Sequence, residues 1–118
     1  MKLAVIGGGV VGLCYAQAFD TAGVTICGIG DGRPNAALRE FTKKKRTRLH
    51  DGPGSWLNEA DCVLSAVFGT GALDVASRAF EYLPCGALYV DMTTADPADM
   101  EEAESIANRS GHAFVDVA

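Results

Sequence analysis

An apolar run, Leu3-Ala4-Val5-Ile6, leads without interruption into Gly7-Gly8-Gly9-Val10-Val11-Gly12. Taken as Gly7, Gly9 and Gly12, the glycines form a G-x-G-x-x-G fingerprint, placed where a strand ends and a helix begins. Each glycine has a separate job. Gly7 permits the tight turn, Gly9 leaves the backbone open to a pyrophosphate, and Gly12 lets the helix pack closely on the strand. Gly8, Val10 and Val11 complete the set, because the helix N-terminus offers free N–H groups and the positive end of its dipole to phosphates. A chain that starts this way is constrained to a strand–turn–helix unit built around a nucleotide.

The remaining sequence alternates in the same manner. Lys2–Ile6 reads as a strand and Val10–Ala22 as a helix stopped by Gly23. Val24–Ile29 is a β-branched second strand, and Pro34–Lys45 a helix with proline in its first turn. Thr47–Leu49 is a short third strand, and Asp51-Gly52-Pro53-Gly54 a loop by composition. Ser55 is placed as the cap of a one-turn helix through Glu59. Cys62–Val67 is an apolar run of strand length interrupted only by Ser65, as expected of a strand buried on both faces. Ala72–Tyr82 is an amphipathic helix ended by Pro84 and Gly86, and Ala87–Asp91 the next strand. Asp96 caps a helix over Pro97–Arg109, with acids at its positive end and Gly111 after its last turn, and Ala113–Val117 is a sixth strand. Strands separated by helices imply an α/β Rossmann fold: a doubly wound parallel sheet of six strands in the order 3-2-1-4-5-6, with right-handed crossovers.

The chain has 118 residues, one domain's worth, and 48% of them are hydrophobic. A net charge of −5 argues against nucleic acid as a partner. The basic run Lys43-Lys44-Lys45-Arg46-Thr47-Arg48 has no interleaved aromatics and reads as a solvated helix end. Cys14, Cys27, Cys62 and Cys85 have no C-x-x-C spacing and suit buried free thiols in a reducing cytoplasm, with no metal. Lys2 and Ala16-Gln17-Ala18 superficially mimic a signal peptide, but four glycines are poor material for its apolar helix, and nothing else is long enough to span a bilayer.

Ligands of such sheets bind at the carboxyl ends of the strands. After strand 2 stands Gly30-Asp31-Gly32-Arg33. Asp31 has the position of an acid that accepts from ribose hydroxyls, as in NAD sites; Arg33 suits the 2′-phosphate of NADP. The two signals conflict. The glycines flanking Asp31 free it to turn away, and Gly32-Arg33 opens the loop where a phosphate would sit, so NADP is favoured over NAD. After strand 4, Val67, Phe68 and Gly69 are placed along the nicotinamide half, with Phe68 on an apolar face. After strand 5, Thr93 and Thr94 offer hydroxyls to the nicotinamide ribose or a substrate carboxylate. His50 and His112 read as surface or loop residues.

These groups, in this order, resemble the N-terminal domain of the β-hydroxyacid dehydrogenase and 6-phosphogluconate dehydrogenase superfamily. Lys2 to Gly12 matches its opening fingerprint, and Ala60-Asp61-Cys62-Val63-Leu64-Ser65-Ala66-Val67 its "ADVVLSxV" strand. Tyr89-Val90-Asp91-Met92-Thr93-Thr94, followed by Pro97, resembles "xVDxST…P", and Gly111 to Ala118 resembles "GxxFVDAPV". "DGR" after strand 2 and "FVDVA" at the end are most similar to a less-characterised branch with a divergent helical second domain; the serine common after that arginine is Pro34 here. The resemblance implies an NAD(P)-dependent dehydrogenase or reductase that moves a hydride to or from a small hydroxy acid or imine. It further implies a second domain, beyond this chain, that supplies the small-molecule substrate site, the catalytic lysine and the homodimer contact. No catalytic residue is therefore assigned here, and the chain alone is expected to be inactive and monomeric. The alternatives are a free-standing NAD(P)-binding sensor without catalysis and a Rossmann-like domain for another nucleoside cofactor.

Overall fold

The computed structural model describes residues 1–117; Ala118, the last residue of the sixth-strand segment, lies outside the described residues. Its elements are β1 (Lys2–Ile6), α1 (Val10–Thr21), β2 (Thr25–Gly30), α2 (Ala36–Lys45), β3 (Leu49–His50), a 3-10 turn (Ser55–Glu59), β4 (Cys62–Ser65), a second 3-10 turn (Gly69–Gly71), α3 (Ala72–Phe80), β5 (Leu88–Asp91), α4 (Pro97–Arg109) and β6 (Ala113–Asp116). The six strands form one all-parallel sheet in the order β3-β2-β1-β4-β5-β6, as the alternation predicts.

Side chains on a strand alternate between faces, and β1 shows how the two layers are filled. Leu3 and Val5 join Leu13, Ala16, Leu38 and Phe41 in the layer of α1 and α2. Ala4 and Ile6 join Leu57, Ala76, Ala79, Ala103 and Ala107 in the layer of α3 and α4. Alanines on α3 and α4 keep that second layer thin. Its aromatic centre is Tyr89, which meets Phe80 edge-on at 5.1 Å and stacks on Phe114 at 5.8 Å. Burial holds the Tyr89 hydroxyl well above the ordinary tyrosine range.

Several boundaries differ from the sequence reading for local reasons. Helix α2 starts at Ala36 because Asn35 is its cap, the carboxamide oxygen accepting from the Leu38 N–H at 2.8 Å. Strand β3 starts at Leu49 because the Thr47 N–H still closes the helix end on the Thr42 carbonyl. Ser55 caps nothing; Gly54 precedes the 3-10 turn, and Trp56 anchors it. Strand β4 stops at Ser65, two residues early, and helix α3 at Phe80.

His112 is not a surface residue. It is buried, its Nε2 lies 3.0 Å from the Leu83 carbonyl, and its ring stacks on Phe80. His50 is half-buried and stacked on Trp56. The thiols also divide: Cys62 is buried and Cys27 half-buried, whereas Cys14, on the outer face of α1, and Cys85, in the turn before Gly86, are exposed. Among the described residues no helix is long and apolar enough to cross a membrane, and no group of three or more His, Cys, Asp or Glu could hold a metal.

Candidate functional site

The fingerprint glycines fall into distinct environments. Gly7 adopts φ +91°, and a Cβ there would run into the Ala66 carbonyl. At Gly12 a Cβ would overlap the Gly7 carbonyl oxygen, so helix and turn are in backbone contact. Gly8 is buried under Leu38, which leaves it no room for a side chain either. Gly9 is the exception: nothing stands within 4 Å of where its Cβ would be. It begins α1 without a side-chain cap. The first-turn N–H groups of a helix have no partner within it, and no side chain caps them here.

The start of α1 borders a cleft of about 630 Å³. Its walls include Gly7, Gly9, Val10 and Val11 from the first turn, Asp31, Gly32 and Arg33 after β2, and Val67 and Phe68 after β4. Val10 is 88% and Phe68 89% exposed, and Val11 is exposed beside them. Single exposed apolar residues are common, but several gathered on the walls of one mostly apolar cleft with a few polar groups mark a binding surface.

Asp31 is turned toward the fingerprint. Its Oδ2 accepts from the Gly8 N–H at 2.8 Å and its Oδ1 from the Arg33 N–H at 2.7 Å. One carboxylate thus ties the turn after β1 to the turn after β2, with the exposed Arg33 side chain on the cleft wall.

The other proposed residues lie elsewhere. Gly8 and Gly12 support the cleft from below and do not line it. Gly69 packs against the Thr94 carbonyl, and with Thr94 and Phe68 it borders an adjoining recess. Thr93 is buried at the end of β5, its N–H donating to Asp91 Oδ1 at 2.7 Å, and it borders a separate hollow with Thr94 and Asp116. The structure therefore groups the β1, β2 and β4 ends into one cleft and sets the β5 threonines apart from it.

Asp51, Gly52, Pro53, Val75 and Arg78 also line the cleft, and sequence reasoning missed them. A signal existed for the first three, which follow β3 at a strand's carboxyl end, where ligand loops belong. Arg78 and Val75 come from within α3 and carry no such signal. Arg78 is paired with Asp74, one turn earlier, at 3.6 Å.

Comparison with known proteins identifies the family of the domain. Residues 2–118 match the family model for the NAD binding domain of 6-phosphogluconate dehydrogenase. No curated protein sequence matches the chain. Similar solved structures include 3-hydroxyisobutyrate dehydrogenase from Mycobacterium tuberculosis, 18% identical with a TM-score of 0.83 over 98% of this chain and 39% of that one. An imine reductase from Myxococcus stipitatus, solved with NADP+, is 24% identical with a TM-score of 0.80 over 98% and 40%. A conserved hypothetical protein from Sinorhizobium meliloti 1021 is 24% identical with a TM-score of 0.82 over 98% and 40%. The chain spans about 40% of the length of the structures it matches. It belongs to the family of the NAD binding domain of 6-phosphogluconate dehydrogenase.

Proposed function

We propose that this chain is the cofactor-binding part of an NADP(H)-preferring dehydrogenase or reductase whose substrate is a small hydroxy acid or imine. The observation that carries this is Gly9: an uncapped helix start, with open space where a side chain would stand, at the floor of an apolar-lipped cleft. A dinucleotide fits those residues. The first turn of α1 would take the pyrophosphate through backbone N–H groups and the helix dipole. Val67 and Phe68 would cover the nicotinamide half. The bound nicotinamide supplies the hydride chemistry, and the protein's share is binding, orientation and electrostatics.

The preference for NADP rests on how Asp31 and Arg33 divide the work. Asp31 already accepts a backbone N–H on each oxygen, whereas among the described residues Arg33 makes no side-chain ion pair. An engaged acid and a free guanidinium suit a 2′-phosphate better than bare ribose hydroxyls. Substrate and partner are proposed to involve the remainder of a longer protein; the names of the similar dehydrogenase and imine reductase support a small hydroxy acid or imine as the substrate class. Calorimetric titration with NADPH and NADH tests the assignment. Tighter binding of NADPH is expected. Binding of neither at millimolar concentration, or a clear preference for NADH, would overturn it.

A further inference from the structure

The loop after β3 forms one wall of the cleft, yet Asp51-Gly52-Pro53-Gly54 has the composition of a free turn. One side chain holds it. The Trp56 indole lies flat on the bare backbone of β2: a Cβ on Gly28 would meet it at 2.7 Å, and one on Gly30 at 3.1 Å. These glycines are two apart and so share a face; together they cut a slot that a side chain at either position would close. His50, the register partner of Gly30, stacks on the indole at 4.4 Å with an interplanar angle of 6°. Held in that slot, Trp56 donates its Nε1–H to the Gly52 carbonyl at 2.8 Å. Beyond Gly52 the Arg78 guanidinium approaches to 4.0 Å of the position a Cβ would take.

We infer that Trp56 is a positioning residue for the adenosine end of the cleft, fixing the Gly52–Pro53 wall through its indole N–H. The end is identified by its neighbours. The residues after β2 serve the adenosine ribose in this fold, and the Asp51 carbonyl lies 3.6 Å from where a Gly32 Cβ would stand. Trp56 does not line that cleft, so its effect passes through Gly52. This rests on the cofactor assignment above.

The test compares the wild-type chain with Trp56→Phe, which keeps a ring in the slot and removes the donor. Both are titrated with NADPH, NADH, 5′-AMP and nicotinamide mononucleotide, and amide hydrogen exchange of the loop is followed without ligand. In Trp56→Phe we expect faster exchange at Gly52 and Gly54 and about fivefold weaker binding of the three adenosine ligands, the scale of one lost hydrogen bond. Nicotinamide mononucleotide should bind unchanged. A merely structural role would lower the melting temperature and leave this split absent. Should the variant not fold, the wild type suffices: Trp56 is the chain's single tryptophan, and 5′-AMP should alter its fluorescence where nicotinamide mononucleotide does not. A folded Trp56→Phe that binds adenosine ligands as tightly as wild type overturns the inference, as does bound 5′-AMP that leaves the emission unchanged. Wild-type protein that binds none of the ligands overturns the cofactor assignment instead.

Discussion

The Asp31 carboxylate accepts a hydrogen bond from the backbone N–H of Gly8 at 2.8 Å, across 23 residues of chain. Gly8 belongs to the turn after β1 and Asp31 to the turn after β2, so the bond fixes the spacing of the two loops that frame the cleft. The second Asp31 oxygen accepts from the Arg33 N–H at 2.7 Å, which shapes the turn that carries the arginine. An acid at this point of the fold is ordinarily expected to read ribose hydroxyls; here it organises the loops first.

Replacing Asp31 should therefore cost stability as well as affinity. Hydrogen bonds to a charged acceptor are worth about 1.5–3 kcal/mol each, and Asp31→Ala removes two. The part-buried site retains some water as a substitute, so about 2–3 kcal/mol of destabilisation in a urea melt is expected. Asp31→Asn keeps one acceptor and should lose roughly half as much. Both variants should bind NADPH and NADH more weakly by similar factors. A loss confined to NADH, at wild-type stability, would make Asp31 a ribose ligand and not a loop tie.

Arg33→Ala separates the two cofactors. The side chain is exposed, so stability should move by no more than about 0.5 kcal/mol. Removing a charge-assisted pair with the 2′-phosphate should weaken NADPH binding about tenfold or more, with NADH unchanged. Calorimetry on the variant decides this, and equal effects on both cofactors would remove Arg33 from the specificity determinants.

The fold was legible because glycine, proline and cap residues punctuate nearly every element. Gly23 and Gly111, at φ +89° and +78°, follow the ends of α1 and α4, and Asp96 caps α4 through the Ala98 N–H. The exposed half of the cleft was legible for a related reason: Gly9, Arg33 and Phe68 sit at strand ends, where topology alone assigns ligands. What escaped was set by tertiary contact. The slot for Trp56 exists only because Gly28 and Gly30 face the same side of β2, and Arg78 reaches the cleft from α3, far along the chain from the loop it approaches. His112 has loop-like neighbours in sequence, but it is sealed by Phe80 and Leu83, which are distant along the chain.

Asp91 gives a pH signature. Its side chain is fully buried at the end of β5. Burial raises its pKa, opposed by hydrogen bonds from Thr93, while the charge of Asp116 adds to the rise. A carboxyl whose folded pKa lies above its unfolded value contributes stability that is complete below the unfolded value, about 3.9. That stability is lost as pH rises through the folded pKa. Asp91→Asn mimics the protonated form and can still accept from the Thr93 N–H. It should melt higher than wild type at neutral pH, and the difference should shrink toward zero as pH falls to about 4. A variant less stable than wild type at neutral pH would show that the ionised carboxylate is the favoured form.

Gly9 and Gly12, three residues apart, should respond in opposite ways to the same methyl group. At Gly12 the new Cβ would overlap the Gly7 carbonyl oxygen, and neither backbone can yield without separating α1 from β1. Gly12→Ala should lose about 3 kcal/mol or more, or fail to fold. At Gly9 the backbone has φ −70°, which alanine adopts freely, and no atom lies within 4 Å of the new methyl. As the N-cap, where alanine is less favoured than glycine, Gly9→Ala should still melt within about 1 kcal/mol of wild type. Its methyl would occupy the space through which a pyrophosphate reaches the first-turn N–H groups, so binding of NADPH and NADH alike should weaken about tenfold or more. Melting curves and titrations on the two variants read both effects. A Gly9→Ala protein that is stable and binds both cofactors normally would show that the phosphates do not approach the start of α1, and would move the binding site off this turn.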